Sequence, residues 1–97
     1  MAENPTSFDT ITVTVPAPQI RLVTLNRPEA ANAFNTRMAE ELTGVFEALN
    51  LDPGDTRVVV LTGAGEKAFC AGGDLKERHG MSDEAWFAQH RVYERMV

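Results

Sequence analysis

Glycine, not a reactive side chain, is the residue type with the most chemical potential in this sequence. The run Val58-Val59-Val60-Leu61-Thr62-Gly63-Ala64-Gly65-Glu66-Lys67-Ala68-Phe69-Cys70-Ala71-Gly72-Gly73-Asp74-Leu75 passes from apolar residues into a glycine-rich loop and ends in Gly-Gly-Asp before a helix-favouring segment. Glycines let the backbone take positive φ and come close to a ligand. Amides exposed where a loop meets a helix can point at an anion or a developing oxyanion. The expected chemistry is therefore donation by backbone N–H groups.

Two nucleotide patterns compete for this loop. Gly63-Ala64-Gly65-Glu66-Lys67-Ala68 matches G-x-G-x-x-G/A after a strand, the dinucleotide-binding fingerprint. That fingerprint should open a long helix at once and be followed by an acid about 20 residues on. Here Phe69-Cys70-Ala71-Gly72-Gly73 interrupts, and Asp83 and Glu84, near that distance, fall at a helix start. A nicotinamide-dependent dehydrogenase is accordingly the remote reading. No Gly-Lys-Ser/Thr occurs, which removes the phosphate loop of nucleoside triphosphatases.

The side chains with nucleophilic, acid–base or ligating capacity have plainer readings. Cys70 is expected to pack as a small hydrophobe rather than attack a substrate. His79 and His90 lack a partner at metal-ligand spacing and read as a loop residue and a helix-face residue. Asp74 is expected to cap the following helix, which would hold the Gly73 amide in place. Lys67 and Lys76 flank the loop and could meet phosphates with help from Arg27, or simply be solvated. Trp86, Phe87, Tyr93 and Met96 fall near helical spacing and read as packing or interface residues.

The elements that must position the loop follow from periodicity. Residues 1–8 read as a flexible tail and residues 9–97 as the folded part. Thr10 to Val15 alternates as a half-buried strand, Pro16-Ala17-Pro18 breaks it, and Ile20 to Leu25 alternates again, predicting an antiparallel hairpin. Asn26 to Ala30 is read as loop. Phe34, Met38, Leu42, Val45, Phe46 and Leu49 mark one face of a helix over about 36–51, capped by Thr36 or Asn35. The all-apolar Val58–Leu61 suits a parallel strand covered on both faces. A short turn of helix is expected from Leu75 to about Arg78, then a last helix from Ser82-Asp83-Glu84 onward. With that helical pattern still running at Val97 and the sheet unfinished, a truncated α/β fold is expected.

Composition narrows the function classes. At 97 residues and 43% apolar content, the chain is one small globular unit or part of a larger one. A net charge of −5 without a basic stripe argues against nucleic acid as a partner. A single cysteine excludes a disulfide framework, and no signal segment or long apolar run is seen. A reduced, cytoplasmic setting and no membrane partner are expected.

Asn26-Arg27-Pro28-Glu29-Ala30-Ala31-Asn32-Ala33-Phe34 resembles the N-R-P-x-x-x-N-A-[LF] segment of the crotonase superfamily, the enoyl-CoA hydratase/isomerase family. Arg57 to Leu75 resembles its second signature, V-x-V-V-x-L-T-G-x-G-x-x-F-x-A-G-x-D-L, and the order, spacing and intervening helix fit. The likeness covers about residues 10 to 97.

The resemblance implies the N-terminal part of a crotonase-like ββα spiral of α/β class, and an acyl-CoA thioester substrate. The enolate-like anion at the thioester oxygen would be held by two backbone amides, one from Gly73. Ala71, Gly72, Asp74 and Leu75 would line the CoA site through backbone atoms, and Glu29 and Ala31 match the loop over the nucleotide end, with Lys67 near the phosphates. The implied reaction is reversible addition of water to a 2-enoyl-CoA. It needs no metal or redox cofactor, CoA being part of the substrate. Relatives are implied to be homo-oligomers, trimers or dimers of trimers, and well over twice as long. Their second amide donor and catalytic carboxylates lie beyond the segment matched here. An isomerase, decarboxylase or carbon–carbon hydrolase branch, or a non-catalytic fragment, are the other readings.

Overall fold

The computed structural model describes residues 8–97. Three strands, β1 (Ile11–Ala17), β2 (Ile20–Leu25) and β3 (Val58–Gly63), form one sheet in the order β1-β2-β3. The helices are α1 (Thr36–Leu51), α2 (Leu75–Arg78) and α3 (Asp83–Met96). The expected tail at 1–8 lies outside the described residues except for Phe8, which packs against the core.

β1 and β2 pair antiparallel, from Ile11↔Leu25 to Ala17↔Ile20. The first strand runs further than the sequence suggests: Pro16 and Ala17 belong to it, and the turn falls at Pro18 and Gln19. Two features make this tolerable. β1 is an edge strand, where a proline's missing N–H costs least. The register also shifts between Thr14 and Ala17, so Pro16 sits at the irregularity. Gln19 takes φ 69°, closing the turn in the left-handed region.

β2 and β3 pair parallel, from Ile20↔Val58 to Leu25↔Gly63. A parallel neighbour needs a crossover, which α1 provides. Asn35 caps α1 by accepting a hydrogen bond from Met38 N–H at 2.9 Å. The predicted apolar face is the one that packs: Met38, Leu42 and Val45 are buried with Ile11, Val23 and Leu25, and Phe34, Phe46 and Leu49 are partly buried beside them.

One expectation fails. Val58, Val59, Val60 and Leu61 are 37–50% exposed rather than covered on both faces. β3 is the free edge of the sheet, and α1 stands away from it, leaving a cavity of about 680 Å³ between α1, Leu61, Phe69 and Met96.

A buried carboxylate ties the start of the chain to α1. Glu41 accepts from Asp9 N–H at 2.8 Å, from Thr10 N–H at 2.9 Å and from the Thr10 hydroxyl at 2.5 Å, with Arg37 3.3 Å away. Burial pushes its pKa up, but the hydrogen bonds from Thr10 and Asp9 and the Arg37 charge together bring it below its ordinary value. A carboxyl depressed on folding contributes stability above its unfolded pKa and loses it as pH falls through the folded value. Glu41→Gln is therefore expected to cost about 1.5–3 kcal/mol at pH 7, the range for hydrogen bonds to a charged group. The gap to wild type should close as pH drops from about 4.5, the ordinary value, toward 2. Urea unfolding at stepped pH checks this, and a gap independent of pH would contradict it.

Candidate functional site

The glycine loop is fastened to the Asn26–Phe34 segment, and that contact sets the geometry of the candidate site. Pro28–Ala30 forms a single 3-10 turn, followed by two left-handed residues, Ala31 (φ 51°) and Asn32 (φ 57°). This reversal drives the Asn32 side chain inward, where it is fully buried. Its Oδ1 accepts from Arg27 N–H at 2.9 Å, and its Nδ2 donates to the carbonyls of Ala64 at 2.8 Å and Ala68 at 2.9 Å. One amide side chain thereby closes both loops on each other. Residue types alone do not assign Asn32 this role; the signal for it is an asparagine shortly after a Pro-Glu turn start.

The loop then runs beside Ala31 to Phe34 as an extra strip. Ala71 N–H donates to Ala31 C=O at 3.1 Å, Phe34 N–H to Gly72 C=O at 2.9 Å, and Asp74 N–H to Phe34 C=O at 2.9 Å. Phe34 and Gly73 form an isolated parallel bridge. In such a bridge the hydrogen bonds use the neighbours of Gly73, not its own groups. The Gly72–Gly73 peptide is trans, so the N–H of Gly73 points opposite to the Gly72 carbonyl, away from Phe34. No backbone acceptor among the described residues takes this N–H. Gly72, at φ 97°, makes the backbone twist that orients it.

Asp74 caps α2 as the sequence suggests, accepting from Lys76 N–H at 2.9 Å and Glu77 N–H at 3.2 Å. It also accepts from Arg27 at 2.9 Å. The hydrogen bond from Arg27 is the largest cause of its lowered pKa, and burial opposes it. Arg27 is thus not available for phosphates: it is mostly buried, and its other nitrogen donates to Ala33 C=O at 2.6 Å. Arg27 and Asp74 together tie the residue after Gly73 to the Asn26–Phe34 segment.

A second polar cluster anchors α2 from behind. Glu77 accepts from Thr36 N–H at 2.8 Å and from Gln89 Nε2 at 2.6 Å, joining the starts of α1 and α2 to α3. Tyr93 lies edge-on to Phe34, ring centroids 4.9 Å apart, and its hydroxyl donates to Phe34 C=O at 3.3 Å. Burial raises the Tyr93 pKa, and the nearby Glu77 charge adds to it.

Of the expected site residues, Ala31, Ala71, Gly72, Gly73 and Asp74 come together in this strip. Leu75 follows at the start of α2 and is 79% exposed. Glu29 is exposed in the 3-10 turn and Lys67 exposed in the loop, with no hydrogen bond among the described residues linking either to the strip. Gly73 does not line the cavity under α1, so the concavity there and the free amide are separate features. Cys70 does line it and packs against the core; its sulfur accepts from Gly72 N–H at 3.5 Å. His79 ends α2, and His90 stacks on Trp86 at 3.7 Å between ring centroids. The described residues contain no group of His, Cys, Asp and Glu suited to a metal, and no helix among them is long and apolar enough to cross a membrane.

Known proteins resemble this chain in sequence and fold. The family profile described as Enoyl-CoA hydratase/isomerase matches residues 17–96. The Bacillus subtilis protein YngF is 45% identical over 76 residues, 78% of this chain and 29% of its own length. The (E)-benzylidenesuccinyl-CoA hydratase of Thauera aromatica is 50% identical over 58 residues, 60% of this chain and 22% of its own. The crystal structure of enoyl-CoA hydratase from Bacillus anthracis superposes with a TM-score of 0.81 at 43% identity, covering 87% of this chain and 32% of that one. The chain thus spans about a third or less of the length of these relatives.

Proposed function

Since this chain belongs to the enoyl-CoA hydratase/isomerase family, we propose that its glycine loop binds an acyl-CoA thioester and directs the Gly73 N–H at the thioester oxygen. The observation that carries this reading is the unpaired Gly73 amide, fixed by hydrogen bonds on both neighbouring residues. A donor held in place before the reaction loses little in reorganising as charge develops on the oxygen. Removing one such donor from an oxyanion hole costs roughly 2.7–4 kcal/mol of barrier height. The backbone of Ala71, Gly72, Asp74 and Leu75 would flank the pantetheine and adenine, with Glu29, Ala31 and Lys67 at the nucleotide end.

The reaction proposed for the fold is hydration of a 2-enoyl-CoA, the chain supplying one amide donor, with CoA as part of the substrate and no metal or redox group required. The names of the matched relatives support this chemistry. Calorimetric titration of the chain with butyryl-CoA and with NAD tests the binding. Butyryl-CoA is expected to bind more tightly, because the Phe69–Gly73 interruption spoils a dinucleotide helix. Tighter binding of NAD would overturn the reading.

A further inference from the structure

Two side chains of α3, one turn apart, reach the elements that hold the glycine loop. Gln89, buried at 2% exposure, donates to Glu77 on α2 at 2.6 Å. Tyr93, also buried, reaches Phe34, the residue bridged to Gly73. Gly72 and Gly73 carry no side chain that would restrict the loop, so its orientation is set by hydrogen bonds to Phe34. That peptide holds the loop on both sides of Gly73: the Phe34 N–H donates to Gly72 C=O and the Phe34 C=O accepts from Asp74 N–H, each at 2.9 Å. The same carbonyl accepts from the Tyr93 hydroxyl at 3.3 Å, and the two rings meet edge to face at 4.9 Å between centroids. The hydroxyl contact is longer than an ideal O–H···O bond, and the carbonyl keeps Asp74 as a partner without it. Its contribution is therefore more to the orientation of the Phe34 carbonyl than to stability.

We propose that Tyr93 is a positioning residue for the Gly73 amide. Its hydroxyl and ring fix Phe34, and Phe34 fixes the direction of the Gly73 N–H through Gly72 and Asp74. The role needs no contact between Tyr93 and a ligand, and no proton moves. The inference rests on the acyl-CoA reading and deepens it by naming the residue on which discrimination between a thioester and free CoA depends. A donor turned away from its acceptor loses affinity for the thioester oxygen alone, since free CoA offers no such oxygen.

Calorimetry with butyryl-CoA and free CoA on wild type, Tyr93→Phe and Glu41→Gln tests this. Tyr93→Phe keeps the ring and its packing and removes only the hydroxyl. Glu41 ties the start of the chain to α1 and makes no hydrogen bond to the glycine loop among the described residues, so its variant reports the effect of general loosening. Wild type is expected to bind butyryl-CoA more tightly than CoA. In Tyr93→Phe that preference falls about threefold, within the span of one net hydrogen bond. The downfield shift of the Gly73 N–H at saturating butyryl-CoA shrinks with it. Glu41→Gln keeps the wild-type preference, although it is the variant expected to lose more stability. A wild-type preference in Tyr93→Phe, an unchanged Gly73 shift, or an equal loss of preference in Glu41→Gln overturns the role of Tyr93 and leaves the acyl-CoA reading intact. A wild type that binds butyryl-CoA no more tightly than CoA overturns the acyl-CoA reading, and this inference with it.

Discussion

Asn32→Ala is expected to remove about 3–5 kcal/mol of folding stability, a large share of the roughly 5–15 kcal/mol that holds a domain folded. The substitution strands three buried backbone groups at once: the N–H of Arg27 and the carbonyls of Ala64 and Ala68. Each unsatisfied buried group costs about 1–3 kcal/mol, with part recovered if water enters the space. Alanine must also hold the left-handed conformation at φ 57°, which adds about 1 kcal/mol. Asn32→Asp is expected to do no better, since it keeps the acceptor for Arg27 but sets a carboxylate against two carbonyl oxygens. Urea unfolding followed by circular dichroism measures both. A loss under about 1 kcal/mol would mean that Asn32 does not bind the two loops together.

The second large effect is at Gly63, where β3 enters the loop. A Cβ there would collide with the Phe69 carbonyl oxygen and lie 2.8 Å from Asn32 Nδ2 and 2.9 Å from Phe69 Cα. Two of these three atoms are backbone, so no side-chain rotation relieves the clash. Gly63→Ala is expected to cost about 3 kcal/mol, the upper end for overpacking. It should also displace Phe69 and open the cavity it lines. Gly44 supplies the control. It sits within α1, and a methyl group added there would meet nothing within 4 Å. Gly44→Ala should therefore stabilise the chain by about 0.5–1 kcal/mol through helix propensity. Opposite signs for the same chemical change would separate close approach from propensity. Equal effects at the two glycines would contradict a steric role for Gly63.

Local patterns are readable wherever one element decides the outcome. α1 begins and ends where its apolar spacing and the Asp52-Pro53-Gly54 stop place it. The caps at Asn35, Asp74 and Ser82 each accept from backbone N–H groups within the first turn. The hairpin is legible because alternation has a period of two in both strands. What the sequence hides is set between segments far apart in the chain. Nothing in the composition of Val58–Leu61 tells whether other elements cover the strand, and among the described residues they do not. Arg27 looks like a free cation until Asp74, far along the chain, is placed beside it. Asn32, Glu41 and Glu77 are polar residues that a pattern of burial would assign to the surface; each is drawn inward by backbone groups that need a partner. The Gly73 amide is anticipated by residue type and family likeness, but its freedom from internal partners is a property of the bridge to Phe34.

The most direct test of the role of Gly73 is its amide resonance in the uniformly nitrogen-15-labelled chain during titration with butyryl-CoA. The Gly73 N–H is predicted to shift downfield in a saturable manner as it donates to the thioester oxygen. Asp74 N–H, already committed to Phe34, should move much less. Free CoA, which lacks the thioester carbonyl, should leave Gly73 nearly unchanged. A Gly73 resonance that stays fixed while butyryl-CoA binds, or that moves equally with CoA and with butyryl-CoA, would contradict the assignment of this amide to the oxyanion.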